Sequence, residues 1–387
     1  MDNHNWKQIR LGDVVKINEK SIDRKFRYDE IEYFDTSSVY KNFFSEPLTI
    51  TLNDAPSRAR RIVRAGDIII STVRPNQEHV GLIQKPKENT VVSTGFAVIT
   101  PISIDSKFLY YYLSQPSIVA YLSAIAETST STFPAIRPEV LEDLQVTIPA
   151  HIEEQKRIGE LLFLFDQKID LNRKTDQTLE EIAQAIFKEW FVDFNYPGAT
   201  GELIDSPLGP IPKGWIITPL SNVYSLEYGK GLPSTDRNPG SVPVYGSNGL
   251  IGYHDIPLVR GPGVVIGRKG SVGTVNWVNQ DFFPIDTAFF VKLQLGGAIT
   301  QFHYYQLKHV GFASYSTDTA VPGLNRIEAG RAKLITPEQN QLYLFNSIAS
   351  PLFSFIHQNE IENQSLIRVR DTLINQIFCK DYLESER

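Results

Sequence analysis

The chain is written twice, and this repeat constrains its fold more than any other feature. Trp6 opens a stretch, Trp-Lys-Gln-Ile-Arg-Leu-Gly-Asp-Val-Val, that ends near Pro149; Trp215 opens a second, Trp-Ile-Ile-Thr-Pro-Leu-Ser-Asn-Val-Tyr, that ends near Pro337. The period is about 190 residues, long enough for each copy to form a domain. Gly66-Asp67-Ile68-Ile69-Ile70-Ser71 parallels Gly263-Val264-Val265-Ile266-Gly267, and Phe133-Pro134-Ala135-Ile136-Arg137 parallels Val321-Pro322-Gly323-Leu324-Asn325-Arg326. Both copies are short β-branched and aromatic runs broken by Gly, Pro and Asn, which reads as twisted strands joined by loops. One short helix is expected in each copy, near residues 106–126 and 300–312.

Behind each copy, apolar side chains recur in alternating steps of three and four, the spacing of a coiled-coil seam. The first seam runs through Ile158, Leu162, Phe165, Ile169, Leu179, Ile182, Ile186 and Trp190; the second runs through Phe345, Leu352, Ile356, Leu366, Val369, Leu373 and Ile377. They superpose at a constant offset of 187, and Asn172 and Asn359 stand at that offset, each on its seam. A polar residue there lowers stability but fixes register. Pro351 falls inside the second pattern and should kink that helix or mark its true start. A helix of about 40 residues is about 60 Å long, more than a small domain needs. The expected fold is therefore α/β: two similar domains, 1–150 and 196–336, separated by a pair of long antiparallel coiled-coil helices, 151–195 and 337–387, in a pseudo-two-fold repeat. Leu161, Phe163, Phe187 and Phe191 exceed what a two-helix seam hides, so they either pack on the globular copies or dock partner subunits.

Composition narrows the function. At 42% hydrophobic the chain has material for real cores. It has no run of 18 apolar residues to span a membrane, and its polar start lacks a signal-peptide core, so a cytoplasmic protein is expected. The single cysteine, Cys379, is expected on the last helix as inert core and excludes an intrachain disulfide. Catalytic spacing signatures are missing. The sequence has no Gly-x-x-x-x-Gly-Lys-Ser/Thr phosphate loop and no Asn/Asp-Pro-Pro-aromatic tetrapeptide of an adenine methyltransferase. Gly246, Gly249 and Gly252 follow no dinucleotide pattern, His303 and His309 lack metal-ligand spacing, and His254-Asp255 reads as a turn. The chain reads as a binder.

The net charge of −6 is unevenly placed. Residues 149–195 carry 6 basic against 10 acidic residues and 337–387 carry 4 against 7, whereas 1–148 (17 against 18) and 196–336 (11 against 9) together sum to +1. The acidic excess sits in the helical segments, so the charge neither requires nor forbids a nucleic-acid partner; it argues only against indiscriminate, purely electrostatic binding.

Two separated binding modules on spacers suit an extended ligand, and double-stranded DNA fits the loops. Arg58, Arg60, Arg61 and Arg64 form a run, followed by Arg74-Pro75-Asn76-Gln77. Arginine reads guanine bidentately, and Asn or Gln reads adenine in the same manner; the plainer alternative is a solvated strand edge. Ser129, Thr130 and Ser131 form a hydroxyl-rich turn that contacts phosphate or caps a helix, and Tyr315-Ser316 is its counterpart. In the second copy, Ser247-Asn248 and Arg268-Lys269-Gly270-Ser271 are glycine-flanked polar turns, while Lys230, Arg237 and Asn238 lie in a Gly/Pro-rich loop.

At this point the sequence resembles the specificity subunits of type I restriction-modification enzymes. The resemblance rests on motifs in order: Gly209-Pro210-Ile211-Pro212-Lys213-Gly214-Trp215; Pro243 through Tyr253; Gly267-Arg268-Lys269-Gly270-Ser271-Val272-Gly273; and Pro284-Ile285-Asp286-Thr287-Ala288-Phe289. Ile148-Pro149 followed by Glu154-Gln155-Lys156-Arg157-Ile158 is similar to the family's entry to its central helix, and Thr336-Pro337-Glu338-Gln339 is its repeat. The resemblance implies that each domain reads one half of an asymmetric, bipartite DNA sequence and that the helices set the gap. It further implies docking of two modification (methyltransferase) subunits, with restriction (motor-nuclease) subunits joining them. No cofactor is then expected on this chain; S-adenosylmethionine, Mg and ATP belong to the partners. Two rivals are a DNA-free protein-interaction scaffold and a self-sufficient enzyme.

Overall fold

The computed structural model describes residues 6–128, 133–317 and 323–378. It divides into two compact units, residues 1–170 with 364–387 and residues 171–363. Each unit holds one copy of the repeat and half of each long helix, Ile152–Phe191 and Gln339–Phe378.

The first unit is built around a four-stranded antiparallel sheet in the order Val15–Ile17, Phe96–Pro101, Ile68–Ser71, Val80–Leu82. The second repeats it as Tyr224–Tyr228, Ala288–Leu293, Gly263–Gly267, Val275–Val278. Each copy is closed by an antiparallel pairing of its first and last strands, Trp6–Arg10 with Gln145–Pro149 and Ile216–Pro219 with Lys333–Thr336. The central strands are apolar almost throughout because both faces are covered. Ile68 and Ile70 enter one core while Ile69 enters another with Phe96 and Val98. Val264 and Ile266 against Val265 repeat that alternation, as the two-residue period of a strand requires.

A second sheet with one parallel pairing flanks each central sheet. In the first unit it has four strands, and its edge strand Ala59–Ile62 carries the arginine run. In the second it has three, and the corresponding edge is reduced to a single bridge between Val259 and Phe282.

The helices differ in detail from expectation. The predicted helix over 106–126 is two, Ser106–Leu113 and Pro116–Glu127. The break falls where Pro116 forces Gln115 into an extended conformation, with ψ 142°. In the second copy Gln301–His309 is followed by a 3-10 turn, Phe312–Tyr315. Pro138–Glu142 and Arg326–Gly330 are equivalent one-turn helices that periodicity alone does not disclose. Pro351 lies within an unbroken Gln339–Phe378 helix, so it does not mark that helix's start.

Within each unit the two helix segments seal the core beside the central sheet. Ile158, Leu162, Phe163, Ile374 and Phe378 do so in the first unit, and Ala183, Phe187, Phe191, Phe345, Ala349 and Phe353 in the second. Their direction is antiparallel. In the second unit Phe191 meets Phe345 (5.4 Å between centroids), Asp176 accepts from Asn359 (2.6 Å) and Asn363 accepts from Asn172 (2.9 Å), so the numbers fall on one helix as they rise on the other. The two seam asparagines do not bond each other. Shifting Asn172 and Asp176 by 187 gives Asn359 and Asn363, so the two bonds are one interaction made twice. All three asparagines are buried, at 3%, 6% and 9% exposure for 172, 359 and 363, so slipping the register would leave amides unsatisfied.

Candidate nucleic-acid interface

In the second unit the expected turns come together at one end of the central sheet. Gly267 closes the strand Gly263–Gly267, and a Cβ there would lie 2.2 Å from the Ser271 carbonyl oxygen and 2.5 Å from that of Ser247. Only glycine permits this approach, which sets the Ser247-Asn248 turn against the 268–274 turn. Thr274 Oγ1 ties them further by donating to the Ser247 carbonyl. Lys269 bridges to Gly323, Leu324 N–H donates to the Arg268 carbonyl (2.8 Å), and Ser316 pairs with Leu324. Ser247, Asn248, Arg268, Lys269, Ser271 and Ser316 therefore share one face, while the Tyr315 ring packs partly buried against the core.

Beside these turns lies a cleft of about 340 Å³, lined by Tyr228, Arg268, Lys269, Arg326 and the 323–327 segment, with no carboxylate in its lining among the described residues. The Arg268 guanidinium lies 5.0 Å from the Tyr228 ring centroid and 5.8 Å from that of Phe289, and Arg326 sits 5.3 Å from the same tyrosine. Two guanidinium groups at one exposed tyrosine make a concentrated positive, planar surface. Tyr228 and Arg326 are functional candidates that the motif search did not single out. Arg326 belongs to the repeated Leu324-Asn325-Arg326 segment, so position was legible but the partnership was not.

The neighbouring loop is held by its own expected readers. Arg237 Nη1 donates to the Ile251 carbonyl (2.8 Å), Asn238 N–H donates to His254 Nδ1 (3.2 Å), and Asn238 Nδ2 donates to Asp255 (3.1 Å). Arg237 and Asn238 thus brace the loop against the hairpin Val242–Gly246/Gly249–His254 instead of standing free to read bases, and the expected His254-Asp255 turn is part of that brace. Lys230 remains exposed, its backbone N–H donating to the Pro284 carbonyl (3.1 Å).

The first unit builds the equivalent corner differently. Thr72 N–H bonds the Gly95 carbonyl (2.8 Å), as Arg268 N–H bonds that of Thr287 (2.9 Å), so the 72–79 loop occupies the place of the 268–274 turn. Arg74 and Glu78, at its two ends, are left-handed with φ 49° and 53°, a conformation non-glycine residues adopt at a cost. Arg74 lies over the Phe133 ring at 4.7 Å, and Asn76 is exposed on the one-turn 3-10 helix Pro75–Gln77. The Gln77 side chain meets His79 Nε2 at 3.1 Å.

The arginine run is largely engaged within the unit. Arg58 is hydrogen-bonded to Tyr33 Oη (3.2 Å) and ion-paired with Asp35, which together hold its guanidinium pKa above the ordinary value. Arg60 reaches the Ser57 carbonyl (3.2 Å), and Arg64 lies between Glu19 (3.5 Å) and Asp67 (3.6 Å). Arg61 is half-buried; burial lowers its guanidinium pKa, and its Nε has no hydrogen-bond partner. Ser129, Thr130, Ser131 and Cys379 lie outside the described residues.

Of the four expected docking side chains, three are core. Phe163, Phe187 and Phe191 are 3%, 6% and 7% exposed, packed on the copy that each helix segment covers, so they offer no surface to a partner. Leu161 remains outside, at 46% exposure. Among the described residues no group of three His, Cys, Asp or Glu side chains stands ready to hold a metal ion, and no helix is long and apolar enough to cross a membrane.

Two α/β units alike in topology, each ending its sheet in a polar, arginine-bearing corner, define a duplicated recognition protein. The profile of the family described as type I restriction modification DNA specificity domain matches residues 3–181. The specificity subunit of type I restriction enzyme HindI from Haemophilus influenzae is 25% identical, the similarity covering 96% of this chain and 98% of that one. The specificity subunit of type I restriction enzyme MjaIX from Methanocaldococcus jannaschii is also 25% identical, over 82% of this chain and 78% of its own. The crystal structure of a type I restriction-modification S subunit from M. genitalium shares the fold, with a TM-score of 0.59 at 17% identity, over 98% of this chain and 97% of that one. The chain is thus similar to the type I restriction-modification specificity subunits, through the family model over residues 3–181 and through the HindI subunit over 96% of its length.

Proposed function

We propose that this chain reads a two-part, non-palindromic DNA sequence, one half with each unit, and presents that DNA to two docked modification subunits that methylate adenine. The observation that carries this reading is the pair of equivalent corners, 72–79 and 268–274, built on one scaffold with different side chains. A shared frame with unlike loops is what reading two different half-sites requires. The long helices act as the ruler between half-sites and as the docking surface, with exposed apolar side chains such as Leu161, Leu164 and Leu171 on the first of them. S-adenosylmethionine, Mg and ATP are used by the partner subunits, restriction subunits included, and the complex works in the cytoplasm.

The test is genome-wide adenine methylation in cells carrying this chain with its modification subunit, against cells lacking only this chain. A gapped, two-part motif methylated only in its presence is the expected result. No chain-dependent motif, with the modification subunit expressed and active, contradicts the proposal.

A further inference from the structure

Among the candidate DNA contacts, Arg268 differs from the rest. In the first unit Arg58, Arg60 and Arg64 answer a carboxylate or carbonyl and Arg74 lies over the single ring of Phe133, whereas Arg268 forms no ion pair among the described residues and its guanidinium lies near two aromatic rings, Tyr228 and Phe289. Its Nε is buried with no hydrogen-bond partner, so the donors left to face the cleft are the two terminal amino groups. The two rings confine that fork before any ligand arrives, and Arg326 on the same tyrosine adds a second positive charge to a cleft whose described lining holds no carboxylate. The adjacent Lys269 is exposed and carries a compact, freely rotating charge.

A rigid planar pair of donors matches two acceptors lying side by side. In the major groove of DNA only guanine offers that pair on one base, at O6 and N7. Such a fork also suits two oxygens of a phosphate, but Lys269, exposed at the next position, supplies a charge for that task. The geometry points to a division of labour between neighbours: Arg268 is the specificity-determining residue that reads a guanine in the half-site of the second unit, and Lys269 is its sequence-blind phosphate contact. This assignment rests on the DNA-reading function proposed above and names one base of the target.

The experiment is methylation-motif sequencing of the chain with its modification subunit, for the unsubstituted chain and for Arg268→Ala, Arg268→Lys and Lys269→Ala. Arg268→Ala should keep the first half-motif and lose the preference for guanine at one position of the second by roughly ten-fold or more. Arg268→Lys, which retains charge and most of the packing, should relax the same position because an ammonium lacks the fork. It also covers the case in which the alanine variant fails to fold. Lys269→Ala should leave the motif intact, lower methylation at all sites alike and flatten the salt dependence of DNA binding. The assignment is overturned if the arginine variants keep an unchanged motif, or if they lower all sites uniformly as a phosphate contact would. If even the unsubstituted chain directs no motif, the DNA reading itself fails, an outcome distinct from an unchanged motif in the variants.

Discussion

The two recognition units use one scaffold and attach their variable parts to it in different ways. In the first, the flanking sheet gains an edge strand, Ala59–Ile62, where Arg60 reaches the Ser57 carbonyl, and Arg58 just before it is tied to Asp35 and Tyr33. In the second that strand is a single bridge, and the arginines converge instead on Tyr228. Their attachment to the helices differs as well. Tyr111 of the first unit donates to Asp166 (2.7 Å), which pairs with Arg370 at 2.5 Å. In the second unit Tyr304 donates to Glu180 (2.8 Å), Tyr305 donates to the Glu180 carbonyl (3.0 Å), and Lys308 approaches the carboxylate at 3.1 Å. What is common to the two units is the sheet order and the alternation of its side chains between two cores. What differs is polar, as the proposed reading of two unlike half-sites requires.

The largest expected effect comes from breaking the core of one unit alone. Phe187→Ala should destabilise the second unit by about 3–5 kcal/mol, because the ring packs against Phe191, Phe302, Tyr305 and Phe345. Hydrogen exchange should speed up in Gly263–Gly267 more than in Ile68–Ser71; equal protection with the parent chain would return Phe187 to a docking role. The exposed Leu161→Ala, by contrast, should change stability by less than about 0.5 kcal/mol.

A smaller effect is expected at the buried ion pair of the first unit. Burial alone would lower the Arg370 pKa, but the adjacent Asp166 outweighs it and holds the guanidinium charged. Arg370→Ala would leave Asp166 and the buried Tyr111 without that charge, at a cost of about 3 kcal/mol read by denaturant unfolding. A change below about 0.5 kcal/mol would show that the pair is solvated. The second unit, which uses Glu180 for this purpose, should keep its protection.

A further effect, confined to acid, separates the units by pH. Burial lowers the His303 pKa to about 4 from its ordinary 6.5, and its Nδ1 accepts from Thr300 N–H at 3.0 Å, so the folded state holds it neutral. A depressed pKa means that its contribution is complete above pH 6.5 and is lost as pH falls toward 4, where the unfolded chain already binds the proton. Thermal unfolding followed over that window should show the loss, and His303→Gln should remove its His-dependent part. A pH profile unchanged by the substitution would contradict the assignment.

The sequence discloses the architecture far better than the site. The duplicated motifs, the three-four spacing of the seams and the 187 offset of Asn172 and Asn359 are local or periodic signals, and periodicity survives without knowledge of contacts. The partnership of each arginine is not local. Asp35 lies 23 residues from Arg58, and Tyr228 meets Arg326 across about a hundred residues, so a run of arginines could not be told from a set of internal ion pairs. The helix phenylalanines fail for a related reason: a coiled-coil pattern marks which residues are apolar, not whether a domain or a partner covers them. Pro116 was the one local breaker inside a predicted helix that the pattern overrode.

The central claim is that each unit reads its own half-site. It is tested most directly by the methylation motif of a chain in which residues 196–336 are replaced by the first recognition domain, expressed with the same modification subunit. The account predicts that the first half-sequence then appears in both parts of the motif. Retention of the original second half, or a change in both halves at once, would contradict it.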